Sequence, residues 1–219
     1  MLVAIFISSF VQVGIALLIP AIWWAVTTIL RLEFATWIGL YVPTWKVGSV
    51  QRVSQKQLGI AMVCWVAVSL ASLRIASSVW GALATSRFMG AGLLAVVPIL
   101  LYAFIQTGLA EELFFRGFLA KRLCASLGFF RGNAIQAVIF ALLHLLLFIN
   151  YLPVLSLVAI TGLTGINGWI MGWLNEQAAG GSVIPSWMLP SLATLLVALG
   201  MAFNAASYKH LRAPETGRN

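Results

Sequence analysis

Several stretches of this 219-residue chain are apolar over a membrane-spanning length and hold almost no charged side chain. A helix needs roughly 20 apolar residues to cross a hydrocarbon core about 30 Å thick. Hydrophobic residues make up 62% of the sequence and charged residues 8%, which is more apolar surface than a soluble domain can bury. The sequence therefore predicts an all-α fold, a polytopic helix bundle embedded in a membrane.

The apolar runs that reach the length of a span set the expected number of transmembrane helices at about six, plus or minus one. The third run continues past Glu111 to about Arg122 as one helical pattern. The segment 74–87 is moderately apolar with an arginine at each end, so it is either an interfacial helix or a weakly marked crossing. The predicted spans are 1–30, 58–73, 89–110, 132–149, 152–174 and 183–203.

Basic residues between the spans predict the orientation of the chain. The net charge is +8, yet the cations lie between apolar runs, where they orient a membrane protein and do not indicate nucleic-acid binding. Loops 31–56 and 116–131 each carry four lysines or arginines, so both are predicted to be cytoplasmic. We expect a multi-pass protein of the bacterial inner membrane, surrounded by membrane lipids, and leave its oligomeric state open.

Two of the five acidic residues, Glu111 and Glu112, stand together inside apolar sequence and are followed by Arg116. A charge at the bilayer centre costs about 2.5–3.5 kcal/mol, so these groups should face the bundle or a cavity. Glu112 and Arg116 are four residues apart and share a helix face, whereas Glu111 points about 100° away from Glu112. One glutamate can pair with Arg116 and leave the other free as a general base. A salt bridge at the end of a span is the structural alternative.

His144 is the only histidine outside the C-terminal tail and the only ionisable group in its predicted span. Its ring nitrogens need partners in the membrane. The partner is either a second group of a catalytic site or, in a purely structural role, a backbone carbonyl or a hydroxyl. Phe140 lies one turn earlier on the same face and could pack against the ring.

These residues carry a resemblance to a family. Glu111-Glu112-x-x-x-Arg116 followed by Phe140-x-x-x-His144 resembles the first two motifs of the CAAX-protease and bacteriocin-processing (CPBP, or Abi) family, which includes the Rce1-type prenyl-protein endopeptidases. The similarity continues through Gly181-Ser182-Val183-Ile184-Pro185-Ser186-Trp187 and covers about residues 90–205. It divides the chain into an N-terminal transmembrane region (1–85), a protease-like core (86–206) and a basic tail (207–219).

The resemblance implies an intramembrane endopeptidase that acts on a membrane-associated substrate, either CAAX-type, lipidated or a hydrophobic peptide. By carry-over, Glu111 is the general base and His144 its partner on the attacking water. Glu112 and Arg116 are expected to orient the site and balance its charge.

One departure from the family pattern concerns its third motif, a histidine and, four residues later, an asparagine or aspartate, which is thought to stabilise the oxyanion. The corresponding positions here are Pro190 and Thr194. With Phe140, they are expected to border the substrate and oxyanion region. Proline offers no donor and threonine a single hydroxyl, and one lost oxyanion donor costs on the order of 10²–10³ in rate.

A metal is not expected at this site, although zinc or another divalent ion is the alternative. Glu111, Glu112 and His144 are the only buried candidate ligands, and they lack the HExxH spacing of a zinc helix.

Two functions of different classes stay open on this sequence. The first is an active intramembrane endopeptidase. The second is a catalytically degenerate relative that binds a membrane peptide or partner, as an immunity or regulatory protein would. A transporter is a weaker alternative, because the chain shows no inverted repeat with paired broken helices.

Overall fold

The computed structural model of the protein describes residues 1–28, 32–48 and 53–203, and within these ranges six helices are long and apolar enough to cross a membrane. This confirms the predicted all-α, polytopic bundle and its helix count. A short helix, α2, lies in the loop after the first span. The helices are α1 (Leu2–Thr28), α2 (Phe34–Ile38), α3 (Gln55–Ala76), α4 (Gly92–Leu127), α5 (Phe129–Phe148), α6 (Val154–Ala178) and α7 (Ile184–Phe203).

The segment 74–87 is neither a separate crossing nor one continuous interfacial helix. Its first residues extend α3 to Ala76, and short 3₁₀ helices over Ser77–Ala82 and Ala84–Phe88 follow. Arg74 lies in the last turn of α3, where a cation interacts favourably with the free carbonyls of the helix end. The start of α3 is equally well defined, because Ser54 and Gln57 form a capping box.

Helix α4 is the centre of the bundle. It contacts α1 and α7 along its first half and α5 along its second half, while α6 packs between α5 and α3. Gly128, with φ of 77°, allows the tight turn by which α5 folds back antiparallel to α4. The catalytic motifs predicted on α4 and α5 are therefore on adjacent, antiparallel helices.

The glutamates of α4 lie between two stretches of wide, π-helical turns. These stretches cover Leu101–Leu109 and Leu113–Ala120, and only Ala110–Glu112 between them has ordinary α-helical bonding. Within the first stretch, Thr107 Oγ1 donates to the Tyr102 carbonyl, five residues earlier, at 3.1 Å. Wide turns free carbonyls from the helical ladder and are frequent at functional sites.

Small residues allow α5 and α6 to approach closely. A Cβ at Gly168 would lie 3.2 Å from the Phe140 ring, and one at Gly165 would lie 3.4 Å from the Ala141 methyl group. Such small-residue stripes bring helix backbones together in a membrane, where lipid supplies no hydrophobic drive to associate. Their effect here is to hold α5, with its histidine, firmly on α6.

A segment outside the spans crosses one end of the bundle. We call residues 32–48 the strap. The Val183 amide donates to the Gly39 carbonyl at 2.9 Å, and the Lys46 amide donates to the Ala178 carbonyl at 2.7 Å. The strap therefore fixes the turn between α6 and α7 through backbone hydrogen bonds.

Side chains strengthen this attachment. The Tyr41 hydroxyl donates to the Gly180 carbonyl at 3.0 Å, and Lys121 Nζ donates to the Gly181 carbonyl at 2.5 Å and pairs with Glu176 at 3.0 Å. Burial, and then the Glu176 carboxylate, raise the pKa of Tyr41 above its ordinary value of 10.0. The hydroxyl therefore keeps its proton, and its hydrogen bond, over the physiological pH range.

The two loops predicted to be cytoplasmic lie at the same end of the bundle. The predicted loop 116–131 is shorter than expected, because α4 continues to Leu127 and α5 begins at Phe129. The Arg122 guanidinium, near the end of α4, stands 4.1 Å from the centre of the Trp37 ring in the strap. Part of loop 31–56 and the tail 207–219 lie outside the described residues.

Replacing Gly132 by alanine is expected to destabilise the α4–α5 pair. A Cβ there would lie 2.5 Å from the Leu123 carbonyl carbon and 2.6 Å from Cys124 Cα, and backbone atoms cannot move aside as a flexible side chain can. We expect a loss of about 1–3 kcal/mol, measured by thermal unfolding in detergent. Gly162→Ala is the matched control, because nothing lies within 4 Å of a Cβ at that position. Equal melting temperatures for the two variants would contradict the close approach.

Candidate functional site

A buried ion pair forms the base of the site. Arg116 Nη1 lies 2.8 Å from Glu112 Oε1, four residues earlier on α4. Glu112 is 3% exposed and Arg116 2% exposed. The pairing that the spacing allowed is therefore present, and Glu112 is the glutamate that makes it. Each charge compensates the other in a setting where either alone would be costly.

The second carboxylate oxygen of Glu112 is bound from α7. Ser186 Oγ donates a short hydrogen bond to Glu112 Oε2, and Asn175 Nδ2, at the end of α6, donates to Ser186 Oγ at 2.6 Å. Both oxygens of Glu112 are therefore engaged. The sequence did not predict the roles of Ser186 and Asn175, although polar residues in or beside an apolar span are the signal that could have found them.

Arg116 also links α4 to α5. Its guanidinium lies 4.2 Å from the centre of the Phe140 ring, a cation–π contact, and the Phe140 and His144 ring centres are 4.4 Å apart. Because α4 and α5 are antiparallel, moving toward the N-terminus of α4 and toward the C-terminus of α5 leads in the same direction through the bundle. One helical turn from Arg116 in this direction reaches Glu111 and Glu112, and one turn from Phe140 reaches His144. These groups therefore lie at a similar depth in the bundle.

His144 has one nitrogen occupied and one available. Its Nδ1 lies 2.9 Å from the Phe140 carbonyl oxygen, which can only accept a hydrogen bond. In the neutral ring Nδ1 therefore carries the proton, and Nε2 presents a lone pair. The ring is partly exposed. Such a nitrogen can accept a hydrogen bond from water.

Glu111 differs from Glu112 in its exposure and in its partners. It is partly exposed, and no hydrogen bond or ion pair to its carboxylate occurs within residues 1–28, 32–48 and 53–203. The structure thus separates the two glutamates, one held in a buried ion pair and the other without a protein partner in the described chain.

The third-motif positions lie on the same side of α7 as the serine that contacts Glu112. Ser186, Pro190 and Thr194 recur every four residues and so share one helix face. The helix continues through Pro190, which has no N–H and leaves the Ser186 carbonyl without its helical donor. At the two third-motif positions this face therefore carries one side-chain hydroxyl, that of Thr194, where the family pattern has two polar side chains.

Two further buried polar side chains lie on α5, on the stripe that carries Phe140. Asn133 and Gln136 are 0% exposed. Asn133 Nδ2 donates to the Trp169 carbonyl at 2.9 Å, whereas both amide atoms of Gln136 have no partner in the described part of the chain. Neither residue was singled out from the sequence, although amides in an apolar span are as informative as charges.

A metal ion bound near Glu111, Glu112 and His144 would need at least three ligands. Among the described residues, no group of three or more histidine, cysteine, aspartate or glutamate side chains could hold a metal ion. The donors nearest to such a set are Glu111 and the Nε2 lone pair of His144, since both oxygens of Glu112 are occupied.

Six membrane-length helices enclosing ionisable side chains define an integral, multi-pass membrane protein. The chain belongs to the Rce1-like family, described as type II CAAX prenyl endopeptidases, whose model matches residues 92–209. This match covers just over half of the chain, includes both α4 and α5 motifs, and confirms the resemblance found from the sequence. No curated protein and no solved structure matches the chain.

Removing the guanidinium of Arg116 is expected to destabilise the fold severely. Arg116→Met leaves the Glu112 carboxylate buried without its counter-charge, which costs about 3–5 kcal/mol. Thermal unfolding in detergent measures the loss. Lys56→Met is the control, because Lys56 is exposed at the start of α3 and its loss should change stability by less than about 0.5 kcal/mol. If Arg116→Met melted with the parent, the pair would not be structural.

Proposed function

We propose that the protein is an active intramembrane endopeptidase that hydrolyses a peptide bond of a membrane-associated substrate with a water molecule activated by Glu111 and His144. The observation that supports this most is the division of labour between the glutamates. Glu112 is committed to Arg116 and Ser186, whereas Glu111 has no described protein partner and lies at the depth of His144. A general base needs a carboxylate that is free to take a proton.

The mechanism follows from hydrogen-bond roles. A water between Glu111 and His144 donates one hydrogen to the carboxylate and the other to Nε2, since both are acceptors. Its oxygen lone pair then attacks the scissile carbonyl carbon as Glu111 removes a proton. The tetrahedral intermediate collapses by breaking the C–N bond, and the proton held by Glu111 passes to the leaving amine. Electrons and protons balance without an added reactant.

The substrate class follows from where the site lies. The Glu and His groups are inside membrane-length helices, so a substrate must bring its scissile bond into the bundle. Lipidated CAAX-type tails and hydrophobic peptides can do this, because their own apolar groups partition into the bilayer. Family membership supports the CAAX-type substrate in particular.

A catalytically silent family member is the second candidate, and Pro190 and Thr194 are the observation that favours it. At the positions where the family has a histidine and an asparagine or aspartate, the shared face of α7 offers one hydroxyl. A protein with these residues could retain substrate binding and lose turnover. The two candidates differ in one measurable way, since only the peptidase depends on proton transfer.

Replacing either water-activating group is expected to abolish cleavage. Glu111→Gln removes the base, and His144→Ala removes the second acceptor, so each should lower kcat by about 10²–10⁴. The assay is cleavage of a farnesylated CAAX peptide by protein reconstituted in liposomes. Glu33→Gln is the control, because Glu33 is exposed in the strap and makes no side-chain capping bond. If both variants kept the full biological effect of the parent, the silent binding protein would replace the peptidase.

The double variant Pro190→His, Thr194→Asn should keep or raise the cleavage rate. It restores donors where the family stabilises the oxyanion, and each such donor is worth on the order of 10²–10³ in rate. The variant must first be shown to insert and to melt like the parent, because Pro190 lies inside α7. A folded double variant that cleaves more slowly than the parent would contradict the assigned oxyanion positions.

The proposed reaction uses no metal. Dialysis against a strong chelator such as 1,10-phenanthroline, followed by the same liposome assay, is expected to leave the rate within about twofold, because proton transfer to a carboxylate and an imidazole needs no Lewis acid. A loss of activity that added zinc restores would instead assign Glu111 and His144 as ligands.

A further inference from the structure

We propose that Ser186, held in place by Asn175, is a positioning residue of this site: it fixes Glu112 onto Arg116 and so leaves Glu111 alone to act on water. This inference rests on the proposed peptidase function. It assigns a role to Ser186, which lies in the stretch 181–187 where the family similarity continues, and to Asn175, which lies outside the motifs quoted for the resemblance.

The hydrogen bonds around Ser186 have a direction. A hydroxyl carries one hydrogen, and the carboxylate of Glu112 is a stronger acceptor than the other oxygen within reach, the Val183 carbonyl at 3.1 Å. Asn175 Nδ2 donates to the hydroxyl oxygen at 2.6 Å, which occupies the lone-pair side and turns the hydrogen toward Glu112. The hydrogen-bonded side chains of Glu112, Ser186 and Asn175 are all at least nine-tenths buried.

These hydrogen bonds determine which of the two glutamates pairs with the Arg116 guanidinium. Glu111 and Glu112 are adjacent, and Arg116 is within reach of the carboxylates of the preceding turn. Only Glu112 receives a second, charge-assisted hydrogen bond, and it comes from another helix. The bond from Ser186 therefore favours the arrangement in which Glu112 neutralises Arg116 and Glu111 keeps its carboxylate free.

The effect extends to the histidine through contacts already described. The Arg116 guanidinium packs on the Phe140 ring, and the backbone carbonyl of Phe140 accepts the hydrogen bond from His144 Nδ1. A guanidinium released from Glu112 would leave that ring and could turn to Glu111. Loss of Ser186 should then lower the rate of the chemical step and leave substrate binding largely unaffected.

The test is a double-mutant cycle on cleavage of the farnesylated CAAX peptide in liposomes. Ser186→Ala is expected to lower kcat by about 10- to 100-fold, the value of a charge-assisted hydrogen bond, with KM changed by less than about threefold. Glu112→Gln lowers the rate by itself, and the combined variant should be no slower than Glu112→Gln alone, because Ser186 acts through Glu112. Ser9→Ala, which removes a fully buried hydroxyl bonded within α1, is the matched control and should cleave like the parent.

A second variant keeps the test decisive if Ser186→Ala inserts poorly. Asn175→Ala should also lower kcat, and the double variant Asn175→Ala, Ser186→Ala should be no slower than Ser186→Ala alone, because Asn175 acts through Ser186. Additive losses in both cycles, or a loss confined to KM, would overturn the positioning role while leaving an active peptidase. A parent that cleaves nothing would overturn the proposed function and this inference with it, so the two failures are distinguishable.

Discussion

The ion pair between Glu112 and Arg116 is the interaction on which the rest of the site depends. Exposed to water such a pair is worth little, but both side chains are buried here, where each partner is costly alone and the two are stable together. The guanidinium also lies over Phe140 on α5, and the carboxylate accepts a hydrogen bond from α7. This one ion pair therefore connects α4, α5 and α7 through polar contacts, in addition to their apolar packing.

That pair also explains why two adjacent glutamates need not compete. Arg116 and Ser186 together occupy both oxygens of the Glu112 carboxylate, and the helix geometry directs the Glu111 carboxylate elsewhere. The proposed chemistry is then left to Glu111 and to the free nitrogen of His144. In the proposed mechanism, Pro190 and Thr194 concern the oxyanion that the attack forms, and the arrangement of Glu111 and His144 does not depend on them.

The sequence predicted what depends on short-range spacing and on length. Span length set the helix count, and the i,i+4 spacing allowed the Glu112–Arg116 pair. It did not predict Ser186 or Asn175, because the bond from Ser186 to Glu112 joins residues 74 positions apart and no local pattern encodes that contact. The 74–87 segment was ambiguous for another reason: 3₁₀ turns have neither the length of a span nor a clear periodicity.

The strap shows that residues before the region matched by the family model help to hold the site in its folded form. The family match begins at residue 92, yet the turn that carries Asn175 on one side and Ser186 on the other is held by backbone bonds from residues 39 and 46. A fragment cut at the edge of the match would lose the hydrogen-bond partner of the Val183 amide and expose a buried turn to solvent. Residues without a family signature are therefore part of the same cooperative structure, and sequence variation in the strap should affect the site through the turn that it holds.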